Sequence, residues 1–332
     1  MGVELVVRSY RRRFAQPLHT AHGPWVWREG LLIRLTDGLG RVGYGEVAPI
    51  PWFGSESVTE ALAFCQAQGE EWRSQPIPNG LPATQFGLES AAADLDTENS
   101  AGGQEPAIPA DSFANAAICG LLPAGETAVE IASQRIAQGH RTLKWKIGVH
   151  PIADEIYWLN QLVQALPPDA RLRLDANGGL NLAQAEQWLA ACDRINASPQ
   201  LATVEHLEQP LPPSQLTAMT ALGERYQTAI ALDESVATVA QLENCWQRGW
   251  RGVFVVKPAI AGSPQKLEAF CQQYQPRLVF SSAFETVIGR QAALAVAARC
   301  SPSPAPALGF GTQGWFADDW DTLTPAELWD RL

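Results

Sequence analysis

Between residues 116 and 282 the chain alternates seven times between a short β-type run and a stretch of helical spacing. The β-type runs are AAICGLL (116–122), RTLKWKIGV (141–149), ARLRLDAN (170–177), TVEHLEQP (203–210), IALDES (230–235), GVFVVKP (252–258) and RLVFSS (277–282). Between them apolar residues recur at helical intervals, as at Ile156, Leu159, Val163 and Leu166. Strands that alternate with helices make parallel sheets, because a parallel partner needs a long crossover. Seven such units, with a short eighth strand near 307–309, fit a parallel (β/α)7β barrel of the TIM type. Periodicity alone does not close a sheet, so an open doubly wound sheet is the competing architecture. The placement of the charged residues, below, favours the barrel.

The first ninety-odd residues have a different pattern. VELVVRSYRRRF, GLLIRLTDG and GRVGYGEVAP alternate apolar and polar positions, and Asp37-Gly38 is a hairpin signal between the last two. Helical segments follow near 57–73 and 84–95. This predicts an α+β capping domain over residues 1–112, completed by about 312–332, packed on a barrel domain over 113–311. Residues 96–114 and 301–315, rich in Gly, Pro, Ser and Ala and without a period, are expected to be linkers or long loops.

Composition narrows the function. With 24 basic and 35 acidic side chains among 332 residues, the formal charge is −11, and no basic face is available to neutralise nucleic-acid phosphates. Arg11-Arg12-Arg13 is too short to supply one and is expected to be a solvated strand end or turn. No apolar stretch approaches the ~18 residues of a membrane span. The start MGVELVV lacks both a signal peptide and the position-six hydroxyl of a myristoylation site, so a cytoplasmic protein is expected. Six widely spaced cysteines without a CxxC indicate reduced thiols. Five histidines form no HExxH, so any metal must be held by carboxylates. The twelve tryptophans are dispersed, with no stacking platform expected.

The strand ends carry the chemistry. Lys144 and Lys146 are two apart and project from one face of a strand whose other face is Leu143, Trp145 and Ile147. Ammonium groups turned into a barrel interior require anions there. Asp175, Glu208 and Asp233 supply them, each at the carboxyl end of a successive strand, where β/α barrels place their active sites. Taken singly, an Asp at a strand end is more often a helix cap, a duty that Asn177 and Ser235 could take here. Three acids on consecutive strands oppose one another unless a cation neutralises them. Three carboxylates with open positions suit Mg²⁺, with Mn²⁺ as a substitute. Lys257 ends the next strand, so Lys146, Asp175, Glu208, Asp233 and Lys257 follow at steps of 29, 33, 25 and 24 residues, each one β/α unit.

This assembly suits proton abstraction from carbon next to a carboxylate. The product carries two charges on one carboxyl group, and a divalent cation stabilises that enediolate. A lysine serves as base only if its pKa falls from about 10.4 toward neutrality, which a second ammonium and a metal both favour. Lys144 would depress Lys146 in this way or hydrogen-bond the substrate carboxylate.

The series KxK, DAN, EQP, DES and VKP resembles the muconate-lactonising branch of the enolase superfamily, and within it the o-succinylbenzoate synthase family. PLHTAHG with WREG (17–30) resembles that branch's mobile substrate-covering loop, and GYGEVAPIPWFGSES (43–57) its second cap loop. SSAFETVIG (281–289) and LGFGTQGWFADD (308–319) resemble its seventh-strand and closing segments. The resemblance covers nearly the whole chain. It implies a Mg²⁺-dependent hydro-lyase that forms 2-succinylbenzoate from 2-succinyl-6-hydroxy-2,4-cyclohexadiene-1-carboxylate, in menaquinone or phylloquinone biosynthesis. It implies Asp175, Glu208 and Asp233 as metal ligands, and Lys146 as base and then acid in a syn elimination. Lys257 would stabilise the enolate from the opposite face. Ser281 and Ser282, with Lys144, are expected to touch the small carboxylate substrate, under cap loops 17–25 and 51–56.

Other polar residues have blander readings. Arg173, Asn177 and Glu234 are candidates for support around the ligands. His206 shares the inward face of Glu208 and is expected to be barrel filling. His19 and His22 lie in the cap loop, against substrate or against solvent. The rival activity is racemisation or epimerisation of N-acylamino acids or dipeptides, with one lysine on each face. The eighth-strand region ALGFGT lacks the acid pair of a dipeptide epimerase, whereas an N-succinylamino acid racemase stays open. A Schiff-base aldolase would need one desolvated lysine and no carboxylate cluster.

Overall fold

A computed structural model describes residues 2–20, 22–68, 75–100, 118–302, 304–312 and 314–332. Strands β1 (Glu4–Thr20), β2 (Gly23–Thr36) and β3 (Val42–Val47) form an antiparallel sheet in that spatial order. Both faces of β2 are covered. Leu31, Ile33 and Leu35 join the main core, while Leu32 packs in a second cluster with Tyr10, Leu328 and Trp329. Helices α1 (Val58–Gln68) and α2 (Pro82–Ser100) follow. A Cβ at Gly45 would stand 2.1 Å from the Gly87 carbonyl, and one at Gly43 2.3 Å from that of Ala91. Only glycine permits α2 to lie this close on β3.

The parallel sheet comprises β4 (Gly120–Leu122), β5 (Thr142–Lys146), β6 (Arg171–Asp175), β7 (Thr203–Glu208), β8 (Ala229–Leu232), β9 (Val253–Val256) and β10 (Arg277–Phe280), adjacent in sequence order. Between them run α3 (Ala128–Ala137), α4 (Ile152–Ala165), α5 (Leu182–Asn196), α6 (Leu216–Arg225), α7 (Val239–Gln247), the single turn α8 (Pro258–Ala261) and α9 (Pro264–Tyr274). After β10 come α10 (Val287–Cys300) and the terminal α11 (Pro325–Arg331). Residues 308–309 join the two edges of the sheet. The Leu308 carbonyl accepts from the Cys119 amide at 2.8 Å, and the Gly309 amide donates to Phe280 at 2.7 Å. Bridges Ile118–Leu308 and Ser281–Gly309 are both parallel. The ring is thereby closed by a two-residue eighth strand, and the open-sheet alternative falls.

Several local expectations change. Of the segment expected to be a loop over 17–25, residues 18–20 and 23–25 pair as strand at the far end of the β1–β2 hairpin, with a register shift between Arg13 and Leu18. Its turn is closed by Gly23 at φ +99° and by the Thr20 hydroxyl, which accepts from the His22 amide at 3.1 Å. Helix α2 runs to Ser100, so residues 96–100 are helical rather than linker; the rest of that linker, and the end of the helix expected over 57–73, lie outside the described residues. The α5 and α7 caps are Asn181 and Thr238, each in a reciprocal capping box with Gln184 or Gln241, and not Asn177 or Ser235. Arg12 is buried rather than solvated, paired at 2.8 Å with both Asp318 and Asp321.

Those aspartates show how the last residues of the chain meet the first. The Ala15 amide donates to Trp315 at 2.9 Å and that of Ala317 to Arg13 at 3.0 Å. Elsewhere, buried Arg28 donates to the carbonyls of Pro49 and Ala48, and to that of Phe284 at the barrel mouth. The antiparallel sheet is thus fastened over the carboxyl ends of β9 and β10.

Candidate active site

Parallel pairing sets the site's geometry. Lys146 on β5, Asp175 on β6 and Glu208 on β7 are successive Cα partners across three strands. Asp233 and Lys257 directly follow β8 and β9. All five therefore stand at one mouth of the barrel, as their strand-end spacing requires. Asp175, Glu208 and Asp233 are 7%, 1% and 4% exposed.

Lysines compensate these acids. The Lys144 ammonium lies 2.8 Å from Asp175 Oδ2 and 2.7 Å from Glu208 Oε1, and that of Lys257 contacts Asp233 Oδ1. Burial pushes the Asp175 carboxyl up, but Lys144 outweighs it and the pKa sits below the usual value. Burial and the Asp175 charge raise Glu208, and burial takes Asp233 to about 6. Glu234 rises to about 8 through burial and the charges of Asp233 and Asp175. Lys144 goes the other way: its desolvation is overcome by Asp175, Glu208 and Asp233, which hold it firmly charged. Lys146, half-buried in the same mouth, has no acidic or hydrogen-bonding partner among the described residues.

The donor set is all oxygen and holds three carboxylates against two ammonium groups; burial first, and the neighbouring carboxylates after it, raise Glu208 and Asp233, while Lys144 holds Asp175 down. That is the chemistry of a hard divalent cation's site. Among the described residues no three acids, histidines or cysteines already converge on one point, and lysine nitrogens stand against an oxygen of each of Asp175, Glu208 and Asp233.

The remaining expected residues fall around this cluster. Asn177, left-handed at φ +45°, donates its amide to Asp175 at 3.0 Å and its side chain to Glu234 at 3.1 Å. Ser281 is half-buried with its hydroxyl on Gly309. The Ser282 hydroxyl is engaged within its own turn, donating to Glu285 at 2.9 Å and accepting from the Phe284 amide. Arg173 lies one layer deeper, 2.6 Å from Glu205. Glu205 did not stand out in the sequence because a register shift, Leu172 with Val204 but Arg173 with His206, leaves it an extra residue on β7. His206 is fully buried with no hydrogen bond at either ring nitrogen, and burial depresses it to about 3, so it fills the barrel as a neutral imidazole. The side chain of His19 lies outside the described residues.

Two further features were not anticipated. Gln209, fully buried at φ +36°, accepts from the amides of Asp233 and Ser235 and donates to Leu211 and Ser235, tying the end of β7 to that of β8. Its place between Glu208 and Pro210 was the only sequence signal. The second is aromatic. Trp25 meets Phe14, Trp52 and Phe284 at ring distances of 5.1, 4.9 and 5.6 Å, and Trp315 joins through Phe284 at 5.6 Å. Three of the twelve tryptophans thus do cluster, which corrects the dispersed reading, because the hairpin, the 51–53 turn and the C-terminal segment meet here. Phe53 from that turn lays its ring 4.1 Å from the Lys257 ammonium.

Comparison with known proteins agrees with this geometry. Residues 127–322 match the family described as Enolase C-terminal domain-like, and residues 15–95 that described as MenC, N-terminal domain. The o-succinylbenzoate synthase of Thermosynechococcus vestitus is 40% identical across 98% of each chain, and that of Klebsiella pneumoniae is 30% identical across 85% of this chain and 82% of its own. The crystal structure of o-succinylbenzoate synthase from Thermosynechococcus elongatus BP-1, complexed with Mg in its active site, superposes with a TM-score of 0.87 at 39% identity, over 99% of this chain and 100% of that one. A dipeptide epimerase from Enterococcus faecalis shares the fold, at a TM-score of 0.74 and 20% identity, over 93% of this chain and 89% of its own. The chain belongs to the o-succinylbenzoate synthase family of the enolase superfamily.

Proposed function

We propose that this chain is an o-succinylbenzoate synthase that removes water from 2-succinyl-6-hydroxy-2,4-cyclohexadiene-1-carboxylate, with Asp175, Glu208 and Asp233 holding Mg²⁺. The observation that carries the reading is the unbroken series Lys146, Asp175, Glu208, Asp233, Lys257 around one mouth of the barrel, in a chain similar over its full length to such enzymes. When bound, the cation supplies positive charge to the substrate carboxylate and lowers the cost of a second negative charge there.

The chain's own residues do the rest. Lys146, unpaired in the mouth, takes the proton from the carbon next to the carboxylate, and the C–H electron pair moves into the enediolate. That pair then returns to the ring, the carbon–hydroxyl bond breaks, and the proton on Lys146 leaves with the hydroxide as water. Proton and hydroxide depart from one face, so a single lysine serves both steps. Lys257, held between Asp233 and the Phe53 ring, stabilises the charge from the other face. The aromatic product makes the elimination downhill, so the residues chiefly have to position the diene. The Trp25 cluster and the 51–53 turn exclude water above it.

Among the described residues no helix is long and apolar enough to cross a membrane. Free, mostly buried thiols fit a cytosolic enzyme that acts on a small carboxylate. The diene absorbance followed with Mg²⁺, and again with EDTA, tests the reading. Metal-dependent loss of the diene is expected. A folded, metal-loaded protein that leaves the diene intact but exchanges deuterium into N-succinylamino acids would assign it to the racemases instead.

A further inference from the structure

The catalytic groups occupy the carboxyl ends of the strands, and the opposite mouth of the barrel is also open. A cavity of about 430 Å³ lies there, lined by residues at the amino ends of the strands. Arg171 begins β6 and Arg277 begins β10, while Arg141 immediately precedes β5. Arg171 is four residues from Asp175 along β6, which puts this mouth about 13 Å from the carboxylates.

The charge balance here is the reverse of the molecule's. The chain carries a net charge of −11, yet the cavity gathers Arg141, Arg171 and Arg277 against two acids, Asp169 and Glu205. Neither acid quenches its partner. Asp169 is 3.3 Å from Arg141 on the exposed surface, where such a pair contributes little. Glu205 is 3.6 Å from Arg171 and gives its closer contact, 2.6 Å, to buried Arg173. Arg277 has no acidic or hydrogen-bonding partner among the described residues. Below the arginines the lining turns apolar, with Val253, Leu278, Val279 and Ala307. His206, fully buried and with neither ring nitrogen hydrogen-bonded, also lines the cavity.

We propose that this mouth is a second binding site, for a small organic anion with an apolar body, such as an aromatic carboxylate. The apolar part enters among Val253, Leu278 and Val279, and the anionic group stays at the rim, where Arg277 meets it directly and Arg141 and Arg171 add to the field. A bare inorganic anion would forgo the apolar wall, and a neutral apolar molecule would leave the Arg277 guanidinium uncompensated, since Arg141 and Arg171 have Asp169 and Glu205 nearby. The inference uses no residue of the dehydration chemistry and stands apart from it.

A fluorescence titration of the Mg²⁺-loaded enzyme with 8-anilinonaphthalene-1-sulfonate, whose emission rises in apolar surroundings, tests the site. Wild type is expected to show one saturable site that weakens with added salt. Arg277→Glu and Arg141→Glu should each weaken it, on the order of tenfold or more, because an attraction becomes a repulsion. Both side chains are exposed and remote from catalysis, so turnover should be unchanged and thereby reports that the variants fold; Arg277→Gln repeats the test with the charge only removed. Sodium benzoate should displace the dye and an equal concentration of sodium sulfate should not. No saturable binding, equal affinity in wild type and all three variants, or equal displacement by sulfate would overturn the proposal.

Discussion

The Glu46 carboxylate in the antiparallel sheet accepts the backbone N–H of Thr286 at 2.9 Å, across 240 residues of sequence. Thr286 is the N-cap of α10, and Glu46 also accepts the Gly289 amide at 2.9 Å and the Tyr10 hydroxyl at 2.5 Å. A residue of one sheet thus serves as the anionic cap of a helix that follows the last strand of the other. Glu46→Ala would leave these buried donors orphaned, and we expect a loss of ~3 kcal/mol or more in urea unfolding. Glu46→Gln, which keeps an acceptor, should lose less. A loss under about 1 kcal/mol in the alanine variant would mean that water replaces the carboxylate, against the burial seen here.

The three lysines at the catalytic mouth should be separable. Lys146→Ala removes the proposed proton carrier and is expected to lower kcat by about 10²–10⁴-fold, the usual span for a general acid–base group. Lys257→Ala should also lower kcat. In neither variant should calorimetric Mg²⁺ affinity fall. Lys144→Ala should differ, because its ammonium sits on two of the proposed ligands. Removing it takes away a competing cation, so Mg²⁺ should bind more tightly even as turnover falls. Unchanged Mg²⁺ affinity in Lys144→Ala would refute that competition.

Metal should also stabilise the fold. A cation that binds only the folded carboxylate cluster adds about 2.7 kcal/mol at a hundredfold excess over its Kd. The melting temperature should therefore rise with Mg²⁺ and fall back with EDTA, and Asp233→Asn should blunt the effect. Glu208 lies above its usual pKa and Asp233 is at about 6. Protons therefore compete for these oxygens as pH falls through 6, and the Mg²⁺-induced shift should be larger at pH 8 than at pH 5.5. An equal shift at both values would place the cation elsewhere.

The parts of this site that were legible in the sequence were those governed by period and parity. Lys146, Asp175, Glu208, Asp233 and Lys257 each end a β-type run, and strand ends in a barrel share one mouth whatever fills the loops. What period and parity cannot register is a change of register. The extra residue at Glu205 turned a barrel-facing acid into an apparently outward one, and Arg173 lost its evident partner. The helix caps were misassigned for a related reason: Asn177 lies next to the strand end but is held left-handed by its bond to Asp175, so α5 starts later, at Asn181. The aromatic cluster needs Phe14, Trp25, Trp52, Phe284 and Trp315 brought from four separate segments, and no local pattern encodes that meeting. Gln209 is invisible for a similar reason, since its amide bonds Asp233 and Ser235 on the next β/α unit, and a single buried polar residue leaves no period.

His206 gives a pH test that does not depend on catalysis. Buried without a hydrogen bond, its imidazole stays neutral down to about 3, against 6.5 when exposed. Above 6.5 neither folded nor unfolded chain is protonated there, and the residue contributes no pH dependence. Below 6.5 the unfolded chain binds a proton that the folded chain refuses, so stability falls as pH falls, by about 1.4 kcal/mol per pH unit at most. The loss continues until about pH 3, where the folded imidazole also charges. His206→Leu removes this proton. In EDTA, urea unfolding of wild type and variant between pH 7 and pH 4.5 should give curves that diverge only below about 6.5, with wild type losing ~3 kcal/mol more by pH 4.5. Parallel curves would mean that the folded protein does protonate His206, through a partner or water that reaches its ring.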